Sequence, residues 1–191
     1  MREITVLSFV SLDGVAQGPV QPDEDTSDGF TQSGWTSNYI EEAMELVNTN
    51  LMEGPVSFLF GRKTFEMFCG HWPNSKTTEG DLFNQSQKYV VTTSLKSTVW
   101  DKSEIITGDP VVALKKLKSE SGPRLQVHGS IALIQTLIAN GLVDEFRLLT
   151  FPVVIGAGKR LFGSGTMPAT FNISNSQVSS NGVVMGVYRR K

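Results

Sequence analysis

Cysteine is nearly absent from this chain: Cys69 is the one thiol in 191 residues. An internal disulfide and a Cys-rich zinc site are therefore both excluded, and a reducing cytoplasm is the expected compartment. Charge of either sign is not in excess. Seventeen Lys and Arg stand against 19 Asp and Glu, a net charge of −2, so neither a nucleic-acid nor an anionic-membrane partner is expected. The basic end Arg189-Arg190-Lys191 reads as a solvated terminus. No window reaches the ~20 apolar residues of a spanning helix. Residues 1–6 lack the apolar core of a signal peptide. Repeats and low-complexity tracts are missing too. What remains has an ordinary share of hydrophobic residues, 39%, and enough length to bury a core without staples. One domain over residues 1–191 is the expectation.

Residues 4–10 are β-branched and aromatic, the pattern of a central strand, and Ser11-Leu12-Asp13-Gly14 breaks it. Residues 15–37 carry Pro and Gly breaks, four acids (Asp23, Glu24, Asp25, Asp28) and little periodicity. A loop of that length is more often functional than idle, and this one is expected to close over a substrate. Asn38 is placed to cap a helix through Leu51, with Ile40, Ala43, Met44 and Val47 on one face. The apolar run 56–60 predicts a strand buried on both faces. After Gly61-Arg62-Lys63-Thr64 comes a short helix (Phe65, Met67, Phe68). A helical turn at 83–87 precedes a strand at 88–93, and an edge strand follows at 104–107. Pro110 suits the first turn of a helix. Strand 124–127, the turn Val127-His128-Gly129-Ser130, a helix with Ser130 as N-cap, a left-handed stop at Asn140-Gly141 and a strand over 143–155 make one βαβ unit. Two alternating segments, 170–178 and 183–188, flank Asn181-Gly182, a strong hairpin signal. The order implies an α/β fold: a mostly parallel central sheet with helices on both faces and an antiparallel C-terminal hairpin.

Three strand ends run into Gly, Ser or Thr. At the first, Gly61 permits a sharp turn, the amides of Lys63 and Thr64 open a helix, Arg62 and Lys63 bring positive charge, and Thr64 brings a hydroxyl. Thr92-Thr93-Ser94 is the second and Gly129-Ser130-Ile131 the third. Each alone reads as a plain turn. Parallel strands bring such ends to one edge of the sheet, where ligands bind. Neither Gly-x-Gly-x-x-Gly nor a P-loop occurs; Gly156-Ala157-Gly158-Lys159-Arg160 reads as a tight turn.

Gly61-Arg62-Lys63-Thr64-Phe65 after an apolar strand resembles the Gly-Arg-x-Thr-aromatic motif of dihydrofolate reductases, and His128-Gly129-Ser130 resembles their second glycine turn. Ser11-Leu12-Asp13-Gly14, residues 142–148 and Pro152-Val153-Val154-Ile155-Gly156-Ala157-Gly158 resemble the reductase domain of bacterial riboflavin biosynthesis proteins and its stand-alone relatives. The resemblance spans the chain in order. It implies a three-layer dihydrofolate reductase-like fold and NADPH as cofactor. Arg62, Lys63, Thr64, Thr93 and Ser94 would hold the 2′-phosphoadenosine end, Gly129, Ser130 and Ile131 the pyrophosphate, and Val15 and Ala16 would wall the nicotinamide. It also implies a homodimer. The zinc deaminase motifs His-x-Glu and Pro-Cys-x-x-Cys, often fused to the riboflavin-pathway enzyme, do not occur.

Hydride transfer needs a placed acceptor and a proton source. Asp13, at the end of the first strand, is the first candidate to face substrate, with a turn-forming Asx role as the alternative. Glu42 is the second, with favourable charge in a helix's first turn as its alternative. His71 and Trp72 suit either a pocket wall or a surface loop, His128 either a phosphate contact or a structural role, and Cys69 a small apolar filler. The expected function is an NADPH-dependent reductase acting on a C=N or C=O group of a small pterin- or pyrimidine-like heterocycle; the alternative is a non-catalytic, dimeric nucleotide-binding module.

Overall fold

The computed structural model describes residues 1–50, 52, 54–164 and 166–191, the side chain of Asn50 excepted. Eight strands form one sheet in the order β4-β3-β2-β5-β1-β6-β8-β7. They are β1 (Ile4–Ser11), β2 (Val56–Gly61), β3 (Lys88–Val91), β4 (Ser103–Ile106), β5 (Arg124–His128), β6 (Glu145–Phe151), β7 (Phe171–Val178) and β8 (Val184–Arg190). The first six are mutually parallel; β8 is antiparallel to β6 and to β7. The central position expected for β1 is observed, between β5 and β6.

Alternation along β1 sorts the helices. Ile4, Val6 and Val10 point to a cluster shared with α4 (Pro110–Ser119) and α5 (Ile131–Ala139), through Leu114, Leu117, Leu133, Ile134, Leu137 and Ile138. Leu7 and Phe9 point to the other face, where α1 (Ile40–Asn50) lays Ala43 and Val47 on Leu149, Phe151 and Met185. On that same face α2 (Arg62–His71) and α3 (Thr78–Gln85) pack Phe65 and Phe83 against Phe58, Phe60 and Val90. Helices thus cover both faces of a mostly parallel sheet with an antiparallel hairpin at one edge, as a dihydrofolate reductase-like fold does.

The differences from expectation are local. Helix α1 starts at Ile40, two residues beyond Asn38; Leu51, its expected last residue, lies outside the described residues. The helical turn expected at 83–87 is a full helix starting at Thr78, capped by Thr77 Oγ1 accepting from the Gly80 amide (3.1 Å); its polar composition hid it. Strand β6 stops at Phe151 rather than at 155, because Pro152 has no N–H to add to the ladder. The stop after α5 is as expected: Gly141 adopts φ 64°, and the amide of Leu142 reaches back to the Leu137 carbonyl (2.9 Å).

Candidate functional site

The parallel strands end together, and at that rim two of the glycine turns are stitched directly. The Gly61 amide donates to Ser130 Oγ (3.0 Å), and the Ser130 amide donates to Thr64 Oγ1 (3.1 Å). This corrects the expected capping role of Ser130. It sits in the left-handed region (φ 51°, ψ 49°) and makes no side-chain cap to α5, because its hydroxyl is turned across to β2. Gly129 is also left-handed (φ 54°), and a Cβ there would meet the Thr64 side chain at 3.5 Å. Neither α2 nor α5 carries a side-chain N-cap, so their first-turn amides lie side by side without an internal acceptor, an arrangement suited to an anion.

Around this pair, Arg62 and Lys63 open α2. Arg62 bonds Glu66 one turn on (2.8 Å) and Lys63 is 69% exposed. Val91 lies in register with Gly61, which brings the third turn alongside. There Thr92 Oγ1 accepts from the amides of Ser94 and Leu95 (3.1 Å each), leaving the side chains of Thr93 and Ser94 exposed. Ile131 is half-buried against the α5 cluster, so at this site it offers backbone rather than side chain. Gly61, Arg62, Lys63, Thr64, Thr93, Ser94, Gly129, Ser130 and Ile131 are therefore brought together.

Four other expected residues are used differently. Asp13 spends both oxygens on the chain: Oδ1 accepts from Ser11 Oγ (2.7 Å) and the Ile155 amide (3.0 Å), Oδ2 from the Gly156 amide (2.9 Å), with Arg160 at 3.5 Å. The Ser11 hydroxyl and then the Ile155 amide hold its carboxyl down to about 2, so Asp13 is a clamp on a turn and stays ionised at neutral pH. Glu42 accepts through Oε2 from Ser180 Oγ (2.8 Å) and the Asn181 amide (3.2 Å); it fastens α1 to the β7–β8 turn. Val15 and Ala16 are buried (0% and 7% exposed). Their amides go to Ser11 Oγ and the Lys159 carbonyl. They are core rather than the wall of a cleft.

The loop from 15 to 37 is pinned. The side-chain amide of Gln17 donates to the Ser27 carbonyl (3.0 Å) and accepts from the Lys159 amide (2.9 Å), and Trp35 Nε1 donates to the Gln17 carbonyl (2.8 Å). Phe30 packs where a Cβ on Gly158 would come within 2.8 Å, and Gly158 has φ 116°; no other residue fits there. Asp25 joins Lys159 (3.0 Å) and faces Lys63 (3.9 Å). Burial would raise its pKa, but the bonds from Ser27 and Lys159 outweigh burial and hold it at about 2. The sequence shows Asp25 only as one of four loop acids and Lys159 only as part of a tight turn; the complementary acids at 23–28 and bases at 159–160 were the available signal of their pairing.

His128 turns away from the rim. Strand alternation sends its ring between Phe58, Phe68 and Phe83. Gln126 Nε2 donates to His128 Nε2 (2.7 Å), which leaves the ring proton on Nδ1. Burial, then the charges of Arg147 and Arg124, press its pKa down to about 3. His71 and Trp72 meet edge to face (4.7 Å between centroids, 83° between planes), and Trp72 stacks on Phe83. A set of half-buried aromatics that sequence reading did not single out lies under α1: Phe9, Trp35 and Tyr39 surround Phe151 at 5.3–6.1 Å. Two surface concavities, of about 310 and about 400 Å³, open at the other end of the sheet. The rim is distinguished by its hydrogen-bond donors rather than by a hollow.

A mostly parallel sheet covered by helices on both faces, with an antiparallel C-terminal hairpin and glycine turns gathered on its carboxyl rim, has the architecture of a dihydrofolate reductase-like domain. The chain belongs to the family described as the RibD C-terminal domain, whose model matches residues 2–185. That membership supports a reductase-type function. The chain is 33% identical over 136 residues to the Bacillus subtilis (strain 168) protein YyaP, covering 69% of this chain and 72% of that one. Among solved structures it resembles a putative riboflavin biosynthesis protein from Shewanella sp. PV-4 (TM-score 0.67, 20% identity, 99% of both chains). It also resembles a pyrimidine reductase-like protein from Corynebacterium diphtheriae (TM-score 0.64, 14% identity, 100% of this chain and 92% of that one). Among the described residues no helix is long and apolar enough to cross a membrane, and no cluster of metal-ligating side chains occurs.

Proposed function

We propose that this chain is an NADPH-dependent reductase that delivers hydride to a C=N or C=O group of a small planar heterocycle. The observation that carries the reading is the Gly61–Ser130–Thr64 stitch, which sets two uncapped helix N-termini side by side. The backbone amides of Gly129 and Ile131 would take the pyrophosphate, as at other helix-mouth phosphate sites, with the Ser130 hydroxyl proton as a further donor, since the Ser130 amide is held by Thr64. Arg62, Lys63 and Thr64, with Thr93 and Ser94, would take the 2′-phosphoadenosine end by charge and hydroxyl. When bound, NADPH supplies the hydride; the protein supplies position and a dry, apolar wall. Phe9, Trp35 and Tyr39 suit a flat ring, in line with relatives described as pyrimidine reductase-like and riboflavin biosynthesis proteins. With Asp13 and Glu42 both engaged, the proton reaches the product from water.

A second copy is the proposed partner. Strand β7 is an exposed eight-residue edge, and residues 161–188 contain no charged side chain. Such an edge is left open to pairing. Ile173→Lys on it should convert a dimer to monomer in light scattering; a monomeric wild type refutes the pairing. The engagement of both carboxylates favours one other reading, a nucleotide-binding module without turnover.

Titrating NADPH and NADH while following nicotinamide fluorescence tests both readings, and binding of neither sinks both. Loss of 340 nm absorbance with pterins, pyrimidine ribosylamines or quinones separates reductase from module. Arg62→Ala should weaken NADPH roughly tenfold or more, the worth of a charge-assisted bond, and NADH far less. Equal weakening would move the 2′-phosphate elsewhere.

A further inference from the structure

The end of the sheet opposite the rim carries a buried cation that the proposed reaction does not use. Arg2 precedes β1 and is 4% exposed. Its Nε donates to the Pro123 carbonyl (2.8 Å), one Nη1 hydrogen goes to the Tyr89 hydroxyl (3.2 Å), and the guanidinium lies over the Tyr89 ring at 5.1 Å. All of these partners are neutral. A guanidinium carries five N–H donors, and two are thereby accounted for. Among the described residues no carboxylate pairs with it. Neutral acceptors satisfy hydrogen-bond geometry without balancing the charge, and a buried charge without a counter-ion is costly.

The same arginine lines a groove of about 400 Å³. The groove is bounded by the starts of β2 and β3, the end of α3 and the turn 121–123; its described lining includes Ser57, Ser86, Gln87 and Ser121, and no Asp or Glu. Gly122 lies against the guanidinium with φ 147°, where a Cβ would come within 3.4 Å of Arg2 Nε, so the turn has no side chain between backbone and cation. The other concavity at this end sets Glu3, Asp144 and Glu145 against Arg189, Arg190 and Lys191, and its Arg189 is already paired with Glu145 (2.7 Å).

We infer that the Arg2 groove is a binding site for a small oxyanion of the phosphate class, held by the Arg2 guanidinium together with neighbouring hydroxyls and amides. Such an anion would join the entry to β1, strand β3 and the turn leading to β5, and so act on stability rather than on hydride transfer. This inference stands independently of the reading of the rim.

Inorganic phosphate is the probe, titrated against the full chain in thermal unfolding, with sodium chloride at matched ionic strength as the reference. The expected result is a saturable rise in Tm of about 2–4 °C, the scale of roughly 1 kcal/mol in a chain of this length. In Arg2→Gln the saturable rise should vanish. Ser121→Asp, which places a carboxylate on the exposed lip of the groove, should raise Tm in the absence of phosphate and blunt the response to it. A linear rise without saturation, equal in wild type and Arg2→Gln, is the general effect of an excluded salt and overturns the proposal. A full phosphate response in Ser121→Asp would overturn it too. If Arg2→Gln does not fold, the Ser121→Asp comparison still decides.

Discussion

Removing the Ser130 hydroxyl tests the stitch on which the rim depends. In Ser130→Ala the Gly61 amide loses its acceptor at 3.0 Å. An unsatisfied, part-buried N–H costs about 1–3 kcal/mol, and the partly open rim points to the lower half of that range, about 1–2 kcal/mol. Alanine also keeps the strain of the left-handed backbone at φ 51°. Ser130→Gly loses the same bond but relieves that strain, worth roughly 1 kcal/mol. The two variants should therefore rank wild type, then glycine, then alanine. At about 2–4 °C per kcal/mol, alanine should melt about 2–8 °C below wild type. Urea unfolding gives the cleaner number, since a lower midpoint at unchanged slope is a change in stability alone. The reasoning fails if Ser130→Ala lies within about 0.5 kcal/mol of wild type, the range of an inconsequential surface change. It fails equally if glycine is no better than alanine.

Asp13→Asn should leave the reaction's pH dependence near neutrality unchanged while altering acid stability. The folded pKa of about 2 lies below the ordinary 3.8, so the stabilisation is present above about pH 4 and is lost as pH falls toward 2; a variant that melts with the same acid profile as wild type would refute the clamp. His128 titrates near 3 when folded against 6.5 when free. The unfolded chain therefore binds the extra proton between those values, and stability falls as pH drops through that window; His128→Phe should flatten the profile between about pH 6.5 and 3, and an unchanged slope would mean the imidazole is not held neutral. Glu42→Gln should lower Tm through the hairpin turn without a large fall in kcat, and a hundredfold loss of kcat at unchanged Tm would restore Glu42 as a chemical group.

Much of the architecture could be read locally. The apolar run Val56, Phe58, Leu59, Phe60 forms β2 because a sheet covered on both faces asks for little else. The hairpin closes at Asn181-Gly182 because Gly182 takes up a left-handed backbone (φ 92°) after a turn in which its amide reaches the Ser179 carbonyl (3.1 Å). Gly129 marks the rim through its left-handed backbone (φ 54°), whereas Gly61 is extended (φ −79°) and lies against Ser130, whose Oγ a Cβ would meet at 3.5 Å. The α3 helix was illegible because eight polar-rich residues carry no apolar period, and its cap, Thr77, is an ordinary residue in a loop.

The side chains at the site divide along the range of the forces that place them. Strand, turn and helix follow from neighbours within a few residues, which is why the turns at 61–64, 92–94 and 129–131, and their order, stand in the linear chain. Whether a carboxylate is free depends on donors far off in sequence. Asp13 meets amides about 142 positions on, Glu42 meets Ser180, and Val15 disappears beneath Phe30 and Gly158. Hydrogen bonds and burial of that kind arise when the sheet closes, so the use of each acid, and the direction His128 faces, belong to the folded molecule and are not written in any local stretch of it.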